Sequence, residues 1–250
     1  MNYGCADKVA LISGGTSGIG LAAAELLLAD GADVWLLARN EQPELMQSLA
    51  AKYAGWVHFV QADVTAAQAC EQAVQLVAAA SGRIDLLVNC AGLYLEQRLE
   101  SLTEADFCRL FAVNVKGTMF LTKAVLRVMP QGGSIVNVAS DAGISGNYGC
   151  IAYCASKGAV VAFTKALALD IAPGLRVNCV CPADVDTPLL ERQLAAAEGC
   201  YGKDDLANEY PLERIGQPQE IAHVICSLLS PANSFMTGSI VAVDGGLTAK

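Results

Sequence analysis

Ser13-Gly14-Gly15-Thr16-Ser17-Gly18-Ile19-Gly20 is the stretch whose reading decides the fold. An apolar run at 8–13 precedes it, and it leads straight into Leu21-Ala22-Ala23-Ala24-Glu25-Leu26-Leu27-Leu28. A strand, a glycine-rich turn and an apolar helix in that order form a cradle for a pyrophosphate. Backbone N–H groups at the positive end of the helix face the anion, and glycines leave no Cβ in its way. An ordinary tight turn is the competing reading, but the flanking strand and helix favour dinucleotide binding. The cradle is assigned to Gly14, Thr16, Ser17, Gly18, Ile19 and Gly20. The spacing is G-x-x-x-G-x-G rather than G-x-G-x-x-G, which selects a particular branch of dinucleotide folds.

Outward from this turn, short apolar runs alternate with longer helical patterns to the end of the chain. Strands are expected at 8–13, 33–38, 56–60, 84–89, 134–139, 175–181 and 239–243. Helices are expected at 18–30, 41–53, 66–80, 103–129, 153–171 and 217–229. This alternation predicts an α/β fold: a single-domain, doubly wound Rossmann-type sheet of about seven parallel strands with helices on both faces. No linker or internal repeat interrupts the series, so one domain is expected over 1–250. The segment 188–211 is longer than an ordinary connection and is expected to be a substrate loop or lid. Gly117, midway along 103–129, is expected to let another backbone pack closely.

Composition agrees with this reading. Of 250 residues, 54% are hydrophobic and 16% charged, and mean hydropathy is +0.40. That balance excludes disorder. No uninterrupted apolar run reaches about eighteen residues, so no membrane span is expected. A net charge of −9 repels phosphate backbones, so nucleic acid is not an expected partner. The first residues lack a basic region followed by an apolar core and read as a cytoplasmic start. The chain has 10 cysteines, no C-x-x-C pair and 2 histidines. The thiols are read as reduced, small hydrophobic side chains, and no metal site is expected.

The second strand ends in Ala38-Arg39-Asn40, with no carboxylate to hold the ribose hydroxyls of NAD. The Arg39 guanidinium matches a 2′-phosphate, so NADP(H) is favoured over NAD(H). The alternative for Arg39 is a solvated side chain opening a helix. Further on, Tyr153 and Lys157 stand at i and i+4 near the start of an apolar helix, on one face. A phenol ordinarily titrates near pH 10, and the neighbouring ammonium is expected to lower that value toward the range useful for proton transfer. A lone Y-x-x-x-K is weakly specific. The strand pattern 134–139 strengthens it by delivering Ser140 to a carboxyl end, where open α/β sheets hold ligands.

Taken together, these residues resemble the short-chain dehydrogenase/reductase family, Y-x-x-x-K type of about 250 residues, over essentially the whole chain. The resemblance rests on the glycine turn, Asp63-Val64, Asn89-Cys90-Ala91-Gly92, Asn114, Ser140, Tyr153 and Lys157. Pro182 with Val185-Asp186-Thr187-Pro188 and the closing Val243-Asp244-Gly245-Gly246 complete it. It implies that Tyr153 is the general acid/base and that Lys157 lowers its pKa and holds the nicotinamide ribose. Ser140 would orient the substrate oxygen, and Asn114 would support a water relay from Lys157. Asp63 and Val64 would meet the adenine, and Asn89, Ala91 and Gly92 would pack along the cofactor. Pro182, Val185 and Thr187 would hold the carboxamide end. The substrate side is assigned to Ser140, Tyr153, Tyr94, Asn147 and Asp184.

Three positions depart from the family pattern: Ser13 for Thr, Cys90 for Asn, and Ala183 for the Gly after Pro182. If the backbone at 183 needs a positive φ, Ala183 is expected to be strained. The activity implied is hydride transfer between NADP(H) and a ketone or secondary alcohol. The alternatives are an NAD-dependent alcohol, polyol or steroid dehydrogenase, a 3-oxoacyl-carrier-protein reductase, and a non-catalytic dinucleotide sensor. Gln131 and Gly174 stand where a carrier-protein reductase is expected to have arginines. A homodimer or homotetramer is implied through the 103–129 and 153–171 helices; the apolar positions Val160, Phe163 and Leu167 fit such an interface and fit a core position equally.

Overall fold

The computed structural model describes residues 2–197 and 199–249. Seven parallel strands form one sheet: β1 (Val9–Ser13), β2 (Asp33–Ala38), β3 (Val57–Gln61), β4 (Leu86–Asn89), β5 (Ser134–Val138), β6 (Arg176–Pro182) and β7 (Ile240–Val243). Their spatial order is 3-2-1-4-5-6-7. The order reverses between β1 and β4, which pair from Ala10↔Leu86 to Ser13↔Asn89. Connections from these two strands leave to opposite sides, and the crevice this opens at their carboxyl ends is where such sheets take ligands.

Strand side chains alternate between two apolar layers. On β1, Ala10 and Ile12 join the layer that holds α1 (Gly18–Ala29) and residues of α2 (Pro43–Lys52). Val9 and Leu11 join the opposite layer, with α3 (Ala67–Ser81). All five β1 residues are buried, as expected of a strand covered on both faces.

The expected 103–129 helix is not one uniform helix. It is α4 (Glu104–Phe111), a π-helical turn at Ala112–Gly117, and α5 (Thr118–Val125). The wider turn rotates Asn114 and Gly117 inward. A Cβ on Gly117 would lie 2.8 Å from Val64 Cγ2, so glycine is needed for this approach. Next comes α6 (Ile151–Ile171), long and apolar enough to cross a membrane by length and composition. It is instead a core helix that buries Tyr153, Ser156, Lys157 and Thr164. Of the two readings open for them, Val160 and Leu167 take the core one and are buried, and Phe163 packs partly buried against the core.

The segment expected as a 188–211 loop contains two helices, α7 (Pro188–Ala196) and α8 (Lys203–Ala207). The local chemistry explains α7: the Thr187 hydroxyl accepts from the Leu190 N–H at 3.4 Å and Pro188 occupies the first turn. Leu190 and Leu206 anchor the two helices as buried residues. The condition for strain at Ala183 is not met: among the described residues, non-glycine positive φ angles occur at Asp7 and Glu213.

The last helix, α9 (Pro218–Leu229), ends on the Arg176 guanidinium. Arg176 donates to the carbonyls of Leu228 (2.9 Å), Leu229 (3.1 Å), Ser230 (3.1 Å) and Met236 (3.2 Å). A fixed cation here satisfies the free carbonyls at the negative end of the helix. Replacing Arg176 with Met is expected to lower unfolding free energy by about 2–3 kcal/mol, measured by urea denaturation at constant m-value.

Candidate active site

The crevice at the strand ends is a cleft of about 1330 Å³ running from the glycine turn to α7 and α8. Its cofactor end is built by β1 and α1. Gly14 (φ 67°) and Gly18 (φ 52°) occupy left-handed backbone that favours glycine. A Cβ on Gly14 would lie 3.0 Å from the Ala91 backbone, and one on Gly18 would lie 3.1 Å from Thr187 Cγ2. Ser17 starts α1 without a side-chain cap, and no acidic residue occupies its first turn. The Ser17 side chain thus leaves the first N–H groups of α1 uncapped at the helix's positive end, with the Cys90 thiol against the Gly20 N–H, which fits a pyrophosphate.

Gly14, Ser17, Gly18, Ile19, Arg39, Asp63, Val64, Ala91 and Gly92 line the cleft, as do Pro182, Val185 and Thr187. Four expected cofactor residues do not. Thr16 is buried and Gly20 packs beneath Gly14, while Asn40 is exposed beside Arg39 and outside the lining. The Asn89 side chain faces away from the cleft. Its amide turns into the core, donating to Thr122 Oγ1 at 2.9 Å and Asn137 Oδ1 at 2.8 Å. Asn137 continues the chain to Thr164 Oγ1 at 2.9 Å. A buried amide must be hydrogen-bonded, and these partners lie inside the sheet and its covering helices rather than in the crevice.

Asp63 lies at the edge of the cleft and accepts from the Thr65 N–H at 2.9 Å. That bond, with a smaller contribution from Arg39, holds its carboxyl below the usual carboxylate range. Arg39 is exposed and faces the same region.

On the other wall, Ser140, Tyr153 and Lys157 meet. All three are buried, with exposures of 7%, 8% and 6%. Ser140 lies two residues beyond the end of β5 and caps the short turn Asp141–Gly143, while Tyr153 and Lys157 share the inner face of α6. The Lys157 ammonium lies 5.8 Å from the Tyr153 ring centre and donates to the Val138 carbonyl at 3.0 Å. Burial lowers its pKa, opposed by the thiols of Cys90, Cys179 and Cys181.

The expected lowering of the Tyr153 pKa is not what the chain's own groups produce. Burial pushes the phenol well above its ordinary value, and Asp141, Cys150 and Asp184 push it further, against a lowering contact from Ser140. Desolvation of the phenolate outweighs an ammonium that lies across the ring and is bonded elsewhere.

Asn114 (1% exposed) accepts from the Leu93 N–H at 2.8 Å and donates to the Leu93 carbonyl at 2.9 Å and Ser156 Oγ at 3.0 Å. Its side chain is thus committed to joining the segment after β4 to α6. For the relay expected of it this leaves the main-chain carbonyl, which already accepts from Thr118 Oγ1 at 2.9 Å. The side chain does not line the cleft.

The end of the cleft away from the glycine turn is lined by Tyr94, Asn147 and Asp184. The Tyr94 ring meets Tyr153 edge-on at 5.0 Å. Sequence reading missed several residues here. Asp141 stands beside Ser140, Glu96 accepts from Tyr201 (2.6 Å) and Tyr94 (3.2 Å), and Tyr210 donates to Asp184 at 2.7 Å. Asp141 had a local signal, an acid directly after the strand-end serine. Tyr201 and Tyr210 fall within the 188–211 segment expected to cover the site, but nothing in the sequence singled them out; they reach the cleft from just before and just after α8.

A doubly wound parallel sheet, a glycine turn at its switch point, and a serine, tyrosine and lysine facing the same cleft define a dinucleotide-dependent oxidoreductase fold. The family model described as "Enoyl-(Acyl carrier protein) reductase" matches residues 14–248. Cyclopentanol dehydrogenase of Comamonas sp. is 39% identical, aligned over 97% of this chain and 98% of its own. Aldohexose dehydrogenase of Thermoplasma acidophilum, solved ligand-free, superposes with a TM-score of 0.90 at 32% identity, covering 100% of this chain and 97% of that one. ElxO, solved with NADP bound, gives 0.87 at 29% identity, covering 98% and 100%. The chain belongs to the short-chain dehydrogenase/reductase family and is an oxidoreductase.

Proposed function

We propose that this protein transfers a hydride between NADP(H) and a ketone or secondary alcohol, with Tyr153 as general acid/base. The observation that carries the reading is that Ser140, Tyr153 and Lys157 form one wall of the same cleft whose far end is the uncapped start of α1. The bound nicotinamide supplies or accepts the hydride. Tyr153 passes a proton to the substrate oxygen in reduction and takes it back in oxidation. Ser140 flanks that oxygen, and Lys157, fixed by the Val138 carbonyl, keeps positive charge beside the phenolate that remains. Tyr94 flanks Tyr153 on one side of the site, and residues of α7 and α8 line the other.

NADP(H) rather than NAD(H) is supported by Arg39 at the end of β2, with no acid at that position. Replacing Arg39 with Leu is expected to reduce kcat/KM for NADPH by about 10- to 100-fold and leave NADH nearly unchanged. Initial rates with both cofactors across a panel of ketones and alcohols check this. Equal loss with NADH, or better use of NADH by the unaltered protein, overturns the assignment.

A carrier-protein substrate is not favoured, because Gln131 packs onto Gly174 where basic residues are wanted, and Glu96, Asp141, Asp184 and Glu209 line the cleft. Assembly with further copies is supported by exposed Phe107, Met119 and Phe120 on α4 and α5 and Leu169 on α6.

A further inference from the structure

We propose that Glu96 and Tyr201 form a bridge across the substrate end of the cleft that limits the substrate to a compact, single-ring or short-chain, ketone or secondary alcohol. The inference rests on the proposed activity and deepens it by naming the size of molecule the site takes.

The two residues belong to facing walls. Glu96 lies on the segment after β4, and Tyr201 lies between α7 and α8. Both line the cleft. Although 105 residues separate them, the Tyr201 hydroxyl donates to Glu96 Oε2 at 2.6 Å, a charge-assisted bond. Burial and the bond to the Glu96 carboxylate push the Tyr201 phenol up to about 12, so it remains the donor through the neutral range.

Each end of the bridge is held. On the Glu96 side, the Tyr94 hydroxyl donates to the same oxygen at 3.2 Å. The Gln97 N–H donates to the Gly149 carbonyl at 2.5 Å, which ties this segment to the residues just before α6. On the other side, Gln193 Nε2 from α7 donates to the Tyr201 hydroxyl at 3.2 Å. The hydroxyl thus spends its proton on Glu96 and one lone pair on Gln193, which fixes its direction.

The neighbouring polar ties act differently. Tyr210 donates to Asp184 at 2.7 Å, and Lys203 donates to Asp186 at 2.6 Å. Both join the 188–211 stretch to the chain just before it, on the wall from which it starts. Among the described residues, the Tyr201–Glu96 bond is the one side-chain hydrogen bond that joins this stretch to the facing wall. It also lies close to the chemistry. The Tyr94 ring, whose hydroxyl shares Glu96, meets the Tyr153 ring edge-on with centres 5.0 Å apart. A single tyrosine side chain therefore separates the acid/base from the bridge.

A molecule whose oxygen meets Tyr153 and whose body extends past Tyr94 reaches the bridge within that span. One ring fits on the near side, whereas a second fused ring has to displace Tyr201 and break the bond. Only the bulky substrate meets that cost, so kcat/KM discriminates against it.

The experiment measures kcat/KM for cyclohexanone and for the fused two-ring ketone decalone, with saturating NADPH or NADH. It uses the unaltered protein, Tyr201→Phe, Glu96→Ala and the double variant. Tyr201→Phe keeps the ring and removes only the hydroxyl, so it tests the bond with the space in the cleft nearly unchanged. The decalone-to-cyclohexanone ratio should rise about tenfold or more in each single variant. The double variant should add little, because both substitutions remove the same bond. A loss of folding or of cofactor binding scales both ketones together and leaves the ratio in place. Hydrogen exchange of the α7 amides, followed without substrate, should quicken in the same variants. A ratio within about twofold of the original, single effects that multiply in the double variant, or unaltered exchange in α7 overturns the bridge. If the unaltered protein turns over neither ketone nor the matching alcohols, the proposed activity itself fails, and the exchange measurement still reads the bridge on its own.

Discussion

Tyr153→Phe is expected to lower kcat by about 10²–10⁴-fold in both directions while leaving cofactor affinity and thermal stability close to those of the unaltered protein. The expectation follows from where the phenol sits. It is buried in the wall of the cleft, with Ser140 beside it and Lys157 on the same helix face. Phenylalanine keeps the ring, and with it the edge contact to Tyr94 at 5.0 Å. Removing the hydroxyl also leaves less buried polar surface to satisfy, so the fold loses little. What disappears is the one group placed to exchange a proton with the substrate oxygen. Steady-state rates with NADPH and a reactive ketone, with cofactor binding followed by fluorescence, test this directly. Turnover within a few-fold of the original excludes Tyr153 from proton transfer.

The second large effect is expected at Gly20. It lies in the first turn of α1, beneath the glycine turn, and a Cβ there would drive into the Gly14 carbonyl, with the Gly14 carbonyl carbon at 2.9 Å. Both sides of this contact are main chain, so neither yields by a rotamer change. Ala is the better helix former by about 1 kcal/mol, but the overlap outweighs that. Gly20→Ala should destabilise the protein by about 3 kcal/mol and spread the cradle enough to weaken cofactor binding by about 100-fold. Calorimetric melting and cofactor titration read the two effects. A variant that melts as before and binds NADPH as tightly would show that the turn does not need its present shape.

Much of this architecture was legible locally. Each strand from β1 to β7 coincides with an apolar run to within about two residues, because burial of the central strands on both faces demands near-continuous Val, Ile, Leu and Ala, and the edge strands β3 and β7 keep apolar residues on their covered side. The cradle was legible because a turn followed by a helix needs glycine at fixed places, and Gly14 and Gly18 take positive φ. Tyr153 and Lys157 were legible because four residues make about one helical turn. The interruption in 103–129 was not, since nothing in Ala112-Val113-Asn114-Val115-Lys116-Gly117 marks a π turn. That turn is held by Asn114 bonding Leu93 and Ser156, which are distant in sequence. The helices inside 188–211 were missed although Thr187-Pro188 is a recognisable helix start, because the length of the segment dominated the reading.

By itself, then, the amino-acid order determined the parallel sheet, the cradle at its switch point and the pairing of a phenol with an ammonium. All three depend on neighbours within about one turn of helix or one strand. Only the folded chain decided which way the Asn89 amide points and how tightly Tyr153 holds its proton. It also decided that Asp141 reaches the serine proton with Asn147 holding it there. Those properties arise from burial and from charges carried in by β5, β6 and the start of α6. A phenol's proton affinity is set by the dielectric and the charges around it in space, and residue spacing along the chain does not encode either.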